Sequence, residues 1–295
     1  MSSLAPSGAP LNLIRVFPRR TSLTPTDPMA FVGNPPLDGL RPEADEVHVS
    51  VAFTWDIPEA QRLAREWGRF YPVVKLGGPA MGSPLESFVP GRYLRKGVTF
   101  TTRGCNKKCP WCLVPGREGR LAEVQDFPDG WMVQDNNLLQ AGRDHILKVI
   151  AMLNRQRRAA YFSGGIQADL VDEWFADQLR GIRVGAVFLA ADTAGALRPL
   201  EKALGLLSYL GRKKLRCFTL IGFGGETIPQ AEARLEKVWS LGGMPFAQLY
   251  QPADRYIDYP REWRALSKKW MRPAAMVASH RDPKPIDPGP EAWIA

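Results

Sequence analysis

From residue 97 onward, strand-like and helix-like segments alternate through six rounds, and no other feature restricts the fold as strongly. GVTFTTRG opens the series; GWMVQDNN (130–137), AAYFSGG (159–165), IRVGAVFLAAD (182–192), LRCFTLIGF (215–223) and MPFAQLYQP (244–252) continue it. Between them lie segments with apolar residues at helical spacing, such as Leu139, Ile146, Val149, Ile150 and Leu153, then Leu170, Trp174 and Leu179. GALRPLEKALGLLSYLG, TIPQAEARLEKVWSLGG and REWRALSKKWMR (261–272) complete the helices. Strands separated by helices predict an α/β fold with a parallel sheet and right-handed crossovers. Their steady succession favours a partial (β/α)6 TIM-like barrel over a doubly wound sheet, although periodicity alone is compatible with both.

Upstream, residues 1–46 are rich in Pro, Ser, Thr and Gly and read as extended or turn structure. EVHVSVAFTW (46–55) reads as a strand, PEAQRLAREWGRFY (58–71) as a helix beginning at Pro58, and YPVVKLGG (71–78) as a second strand. Together they form a small β-α-β unit. RDPKPIDPGPEAWIA at the C-terminus is a Pro-rich tail. The expected organisation is therefore 1–95 for the N-terminal segment with its β-α-β unit, 96–272 for the partial barrel, and 273–295 for the tail.

The 295 residues, 45% of them hydrophobic, are enough for a full core. No apolar run approaches the ~18 residues that a bilayer requires, and the first twenty residues lack the basic start and apolar stretch of a secretory signal. These features predict a cytoplasmic protein with no membrane partner. The net charge of +9 favours an anionic partner. Arg155–Arg158 and Arg212–Arg216 both fall between a helix and the next strand, so in a barrel they are solvated charge on the face away from the active site. Lys107, Lys108, Arg117 and Arg120 lie in or just beyond the cysteine loop and are candidates to meet a phosphate or carboxylate, or to balance an anionic cluster.

That loop reads Thr101-Thr102-Arg103-Gly104-Cys105-Asn106-Lys107-Lys108-Cys109-Pro110-Trp111-Cys112, a C-x3-C-x2-C spacing directly after a strand. A structural zinc site takes four ligands, usually as two separated pairs. A 4Fe–4S cluster is normally held by four cysteines, and three leave one iron open. The fourth cysteine of the chain, Cys217, sits in a strand and reads as a small core residue.

The triplet Cys105, Cys109, Cys112 resembles the signature of the radical S-adenosylmethionine (SAM) enzymes, and the resemblance extends over roughly residues 97–252. It implies a 4Fe–4S cluster on those three cysteines, with SAM on the open iron, reductive cleavage to a 5′-deoxyadenosyl radical, and an electron donor such as flavodoxin or ferredoxin. Trp111 matches the family's aromatic residue near the adenine. Asp135-Asn136-Asn137 stands where the family presents a motif to the SAM amino group, which makes Asn136 and Asn137 candidates for that contact. Ile221-Gly222-Phe223-Gly224-Gly225-Glu226-Thr227 is similar to the fifth-strand motif beside the adenine, and Asp192 is a candidate for the ribose. On this reading Gly222 is a glycine so that adenine can approach, and Gly222→Val is expected to weaken SAM binding while leaving the fold intact.

The N-terminal β-α-β unit resembles a remnant of the cobalamin-type domain that precedes one branch of the family. The Asp-x-His-x-x-Gly pattern is absent around His48, so no cobalamin is expected. The substrate is unknown, with a nucleic acid or nucleotide favoured by charge. The rival reading is a basic nucleic-acid-binding protein whose cysteines hold a structural zinc.

Overall fold

The computed structural model describes residues 11–81 and 89–280, and the Pro-rich tail from residue 281 lies outside them. The chain forms two compact units: residues up to Phe188 with Gln251–Ile257, and Leu189–Tyr250 with the described residues from Asp258. No helix is long and apolar enough to cross a membrane among the described residues.

In the first unit, β1 (Leu13–Phe17), β2 (Ala30–Val32), β3 (Glu46–Ser50) and β4 (Val74–Gly77) make a parallel sheet in the order β2-β1-β3-β4. The helix α1 (Ile57–Trp67) joins β3 to β4, giving the expected β-α-β unit. The strands β1 and β2 are additions to that unit, hidden in a segment whose Pro and Gly content reads as turn. Alternation along β3 divides its residues between two faces. Val47 and Val49 meet Ala60, Leu63 and Trp67 of α1, and each of these five side chains is fully buried. Trp67 also donates its indole N–H to Gly33 O at 3.0 Å. Burial of this kind contributes about 1.5–3 kcal/mol for each large apolar side chain. His48 and Ser50 face the other way, yet they too are buried.

The larger sheet is parallel and six-stranded: β5 (Gly97–Thr99), β8 (Gly130–Val133), β9 (Ala160–Phe162), β10 (Val184–Ala190), β11 (Leu215–Ile221) and β12 (Met244–Leu249) lie side by side in chain order. The short pair β6 (Thr102–Arg103) and β7 (Ala122–Glu123) is antiparallel and stands apart from that sheet. Three helices belong to the first unit, α2 (Val114–Glu118), α3 (Arg143–Asn154) and α4 (Glu173–Arg180), and α5 (Leu197–Leu206) belongs to the second. Asp172 caps α4 by accepting from Phe175 N at 2.8 Å, as a short acidic side chain does at an exposed helix start.

The second unit holds α6 (Ile228–Ser240), α7 (Arg261–Met271) and α8 (Pro273–Ser279). Thr227 and Gln230 form a capping box at the start of α6. Ile221, Ala231, Leu235, Ala247, Trp270 and Met276 are among its buried core residues. The helix α8 occupies the beginning of the segment expected to be tail. Its Pro273 sits at the first helical turn, where a missing N–H costs nothing.

Candidate functional site

The cysteine loop leaves the large sheet after β5 and is closed at its base by several independent ties. Asp135, 1% exposed just past β8, accepts from Thr101 N at 2.6 Å and from Thr102 N at 3.0 Å. Burial pushes its carboxyl above the usual range, and those hydrogen bonds pull against that rise. Glu118 gathers Arg103 (2.8 Å), Gly104 N (3.0 Å) and Asn136 Nδ2 (2.8 Å). Gly104 has φ +74°, and a Cβ there would stand 2.2 Å from Arg120 O, so only glycine lets the two arms of the loop approach.

Within the loop, Cys105 Sγ accepts from Lys107 N at 3.4 Å and from Asn137 Nδ2 at 3.7 Å. Cys112 N donates to Cys109 O at 3.0 Å, a turn that includes the half-buried Trp111. Cys105 and Cys109 are half-buried, and Cys112 is exposed. Among the described residues no three His, Cys, Asp or Glu side chains are grouped as a metal set.

Asn137 is 5% exposed; its Nδ2 also donates to Gln167 Oε1 at 2.7 Å, while its Oδ1 is buried with no hydrogen-bond partner. An unsatisfied buried acceptor costs about 1–3 kcal/mol, which is a reason to expect a donor there. The donor chemistry thus fits the cofactor pair implied by the sequence: three thiols on one loop, one already receiving N–H bonds, and a free amide oxygen beside it.

A cavity of about 820 Å³ opens next to this loop. Phe17, Ser50 and Gly78, at the C-terminal ends of β1, β3 and β4, line it together with Arg117 of α2 and Asn136 and Gly164 beyond β8 and β9. The order β2-β1-β3-β4 reverses direction between β1 and β3, so the chain leaves these neighbouring strands in opposite directions and a crevice results. Ligands of open α/β sheets bind at such reversals, outside the carboxyl ends of the strands.

No protein-family model matches the chain, and no curated protein matches its sequence.

The remaining predicted residues lie in the second unit, where each has a structural partner. Asp192 Oδ1 accepts from Leu220 N at 2.8 Å, tying the end of β10 to β11. Ile221 is fully buried in the core beneath α6. Gly222 has φ +79°, and a Cβ there would fall 2.9 Å from the Tyr259 ring. The space above this glycine is filled by a tyrosine of the same chain, which is a different reason for glycine than the approach of adenine. Gly222→Val is therefore expected to lower stability by about 2–4 kcal/mol, through a left-handed backbone and a displaced ring. A thermal melt checks this; an unchanged melting temperature would mean that the turn and Tyr259 yield freely.

Glu226, read from sequence as part of the motif beside the adenine, accepts from Gly222 N at 3.0 Å and pairs with Arg234. The residues that sequence reasoning missed are Glu118, Gln167 and Tyr93. The first two organise the cysteine loop across gaps of 14 to 30 residues. No local pattern marks such partners.

Proposed function

We propose that this chain is a radical SAM enzyme, in which Cys105, Cys109 and Cys112 supply the thiolates of a 4Fe–4S cluster. The observation that carries the reading is the placement of the triplet: it follows the first strand of a six-stranded parallel sheet whose strands run in chain order, and Cys105 Sγ already accepts two N–H bonds. When bound, such a cluster supplies the electron that cleaves SAM reductively to a 5′-deoxyadenosyl radical.

The chain's own residues then have these roles. Asn137 Oδ1, unsatisfied and buried, accepts from the SAM amino group, and Asn136 is held beside it by Glu118. Trp111 stands in the turn between the last two cysteines, where it flanks the adenine. Asp192, Ile221 and Gly222 act through backbone placement, since Asp192 is bonded to Leu220, Ile221 is core and Gly222 packs on Tyr259. The sheet curves as a partial (β/α)6 barrel over residues 96–272, and the N-terminal unit is a remnant of a cobalamin-type domain that binds no cobalamin. The enzyme works in the cytoplasm with flavodoxin or ferredoxin as donor, on a substrate of nucleotide or nucleic-acid type. A structural zinc is less well supported: Cys217, the one remaining cysteine, is fully buried with its thiol pushed up to about 12 by desolvation, which disfavours the thiolate a metal needs.

The test is anaerobic reconstitution with iron and sulfide, followed by dithionite and SAM. The expected result is brown protein that forms 5′-deoxyadenosine and methionine. Colourless protein that retains one zinc and leaves SAM intact would overturn the reading in favour of the zinc site.

A further inference from the structure

The second face of the small sheet carries polar residues, and two of them, His48 and Ser50, are buried instead of solvated. Register places Arg15, His48 and Lys75 side by side on β1, β3 and β4. The segment preceding β5 lies against the first two: Arg15 donates to Arg92 O at 2.8 Å. That segment carries Tyr93, whose hydroxyl lies 2.6 Å from His48 Nδ1. His48 is 0% exposed, and its Nε2 lies 2.7 Å from Glu46, which in turn lies 2.6 Å from Lys75 Nζ. The hydrogen bond from Lys75, and then that from His48, hold the Glu46 carboxyl below its usual range. An ionised carboxylate only accepts, so Nε2 bears a proton; in the neutral imidazole Nδ1 then offers its lone pair, and the Tyr93 O–H donates to it.

Tyr93 also lines the cavity. The same lining includes Phe17, Phe53 and Phe100, and among the described residues it carries four guanidinium groups against two carboxylates. Arg19 pairs with Asp56 and Arg103 with Glu118. A chamber lined by aromatic rings with surplus positive charge suits a planar organic anion.

We propose that Tyr93 is the acid–base residue of this cavity, passing a proton between a bound planar organic anion and buried His48. As base, the Tyr93 oxygen takes a proton from the ligand while its own proton moves to Nδ1. The electron pair of the broken bond stays on the ligand, and the imidazolium is held by Glu46. Reversal of the same steps protonates the ligand, and no redox partner is involved. His48, Glu46 and Lys75 are positioning residues. The other buried phenols differ: Tyr71 and Tyr259 donate to the backbone carbonyls of Pro42 (2.7 Å) and Tyr250 (2.9 Å), which meets a packing need and offers no base. The proposal holds whether the cysteines bind iron or zinc.

A phenol whose proton is taken by an imidazole is a better nucleophile, so the test uses 4-(fluorosulfonyl)benzoate, a planar anion, on the full chain without SAM. The Tyr93 oxygen forms a bond to sulfur, fluoride leaves, and the phenolic proton goes to His48. Peptide mass mapping over time compares Tyr93 with Tyr256, which is 67% exposed. The expected result is saturable labelling of Tyr93 at least about tenfold faster than Tyr256. His48→Gln and Glu46→Gln are expected to lower the maximal rate, and Arg117→Gln to raise the half-saturating concentration instead. Labelling of Tyr93 no faster than Tyr256 in the wild-type protein overturns the proposal, as does an unchanged maximal rate in folded Glu46→Gln protein. Should His48→Gln fail to fold, those two measurements decide the matter.

Discussion

Alanine at Cys105, Cys109 or Cys112 is expected to give folded protein that loads almost no iron, whereas Cys217→Ala is expected to load iron normally and melt earlier. The contrast follows from where each sulfur sits. The three loop cysteines are half-buried or exposed, so truncation removes little packing and costs under about 0.5–1 kcal/mol. Each nevertheless takes away one of three thiolates from a cluster that, on the proposed reading, already has one iron without a protein ligand. Cys217 is fully buried on β11, and its removal leaves a small void worth about 1 kcal/mol. Iron analysis and thermal melts on the same four preparations are sufficient. Iron loss in Cys217→Ala as complete as in Cys109→Ala would require a four-cysteine site.

Arg234→Ala is expected to destabilise the second unit strongly, by about 3–5 kcal/mol. The guanidinium is 8% exposed; it donates to Ala191 O at 2.8 Å and Leu220 O at 2.7 Å, and it pairs with Glu226. Its loss strands two carbonyls and a carboxylate that is only 14% exposed. For a chain of this size the melting temperature is expected to fall by roughly 10 °C. Replacing both partners, as in Arg234→Met with Glu226→Gln, removes the uncompensated charge, and the double variant is expected to be more stable than Arg234→Ala. A fall of less than about 1 kcal/mol in the single variant would show that water reaches the carboxylate.

The six rounds of strand and helix were legible because the buried strands are runs of apolar and β-branched residues, five of the six closed by Gly or Asp, and the helices carry apolar stripes. The cysteine loop was legible from spacing alone. What escaped had physical reasons. β1 is a five-residue strand, LIRVF, among prolines, and its neighbours in the sheet come from distant parts of the chain. His48 alternates with valines, and a period of two assigns such a residue to solvent; only the covering segment makes it buried. Gly222 showed that something needed room, but its occupant, Tyr259, lies 37 residues further on. The bond from Leu220 N to Asp192, 28 residues earlier, is likewise a tertiary fact that no local pattern marks.

The reversal between β1 and β3 also constrains how the chain reaches this state. Its hydrogen bonds join positions such as Asn12 and Asp45, 33 apart in sequence, across connections that contain no α-helix. Closing a loop of that length costs conformational entropy before any ladder bond forms, whereas α1 draws β3 and β4 together through a compact crossover. The β3-α1-β4 portion is thus expected to assemble early, with β1 and β2 docking onto it afterwards. Until β1 arrives, one edge of β3 is bare and the imidazole of His48 is open to water. Pulse-labelled hydrogen exchange during refolding would therefore find the amides of Val47 and Val51, which donate to Val73 O and Gly77 O, protected before those of Arg15 and Asp45, which donate to Met29 O and Asn12 O, and the cavity would be the last part of the sheet to take shape.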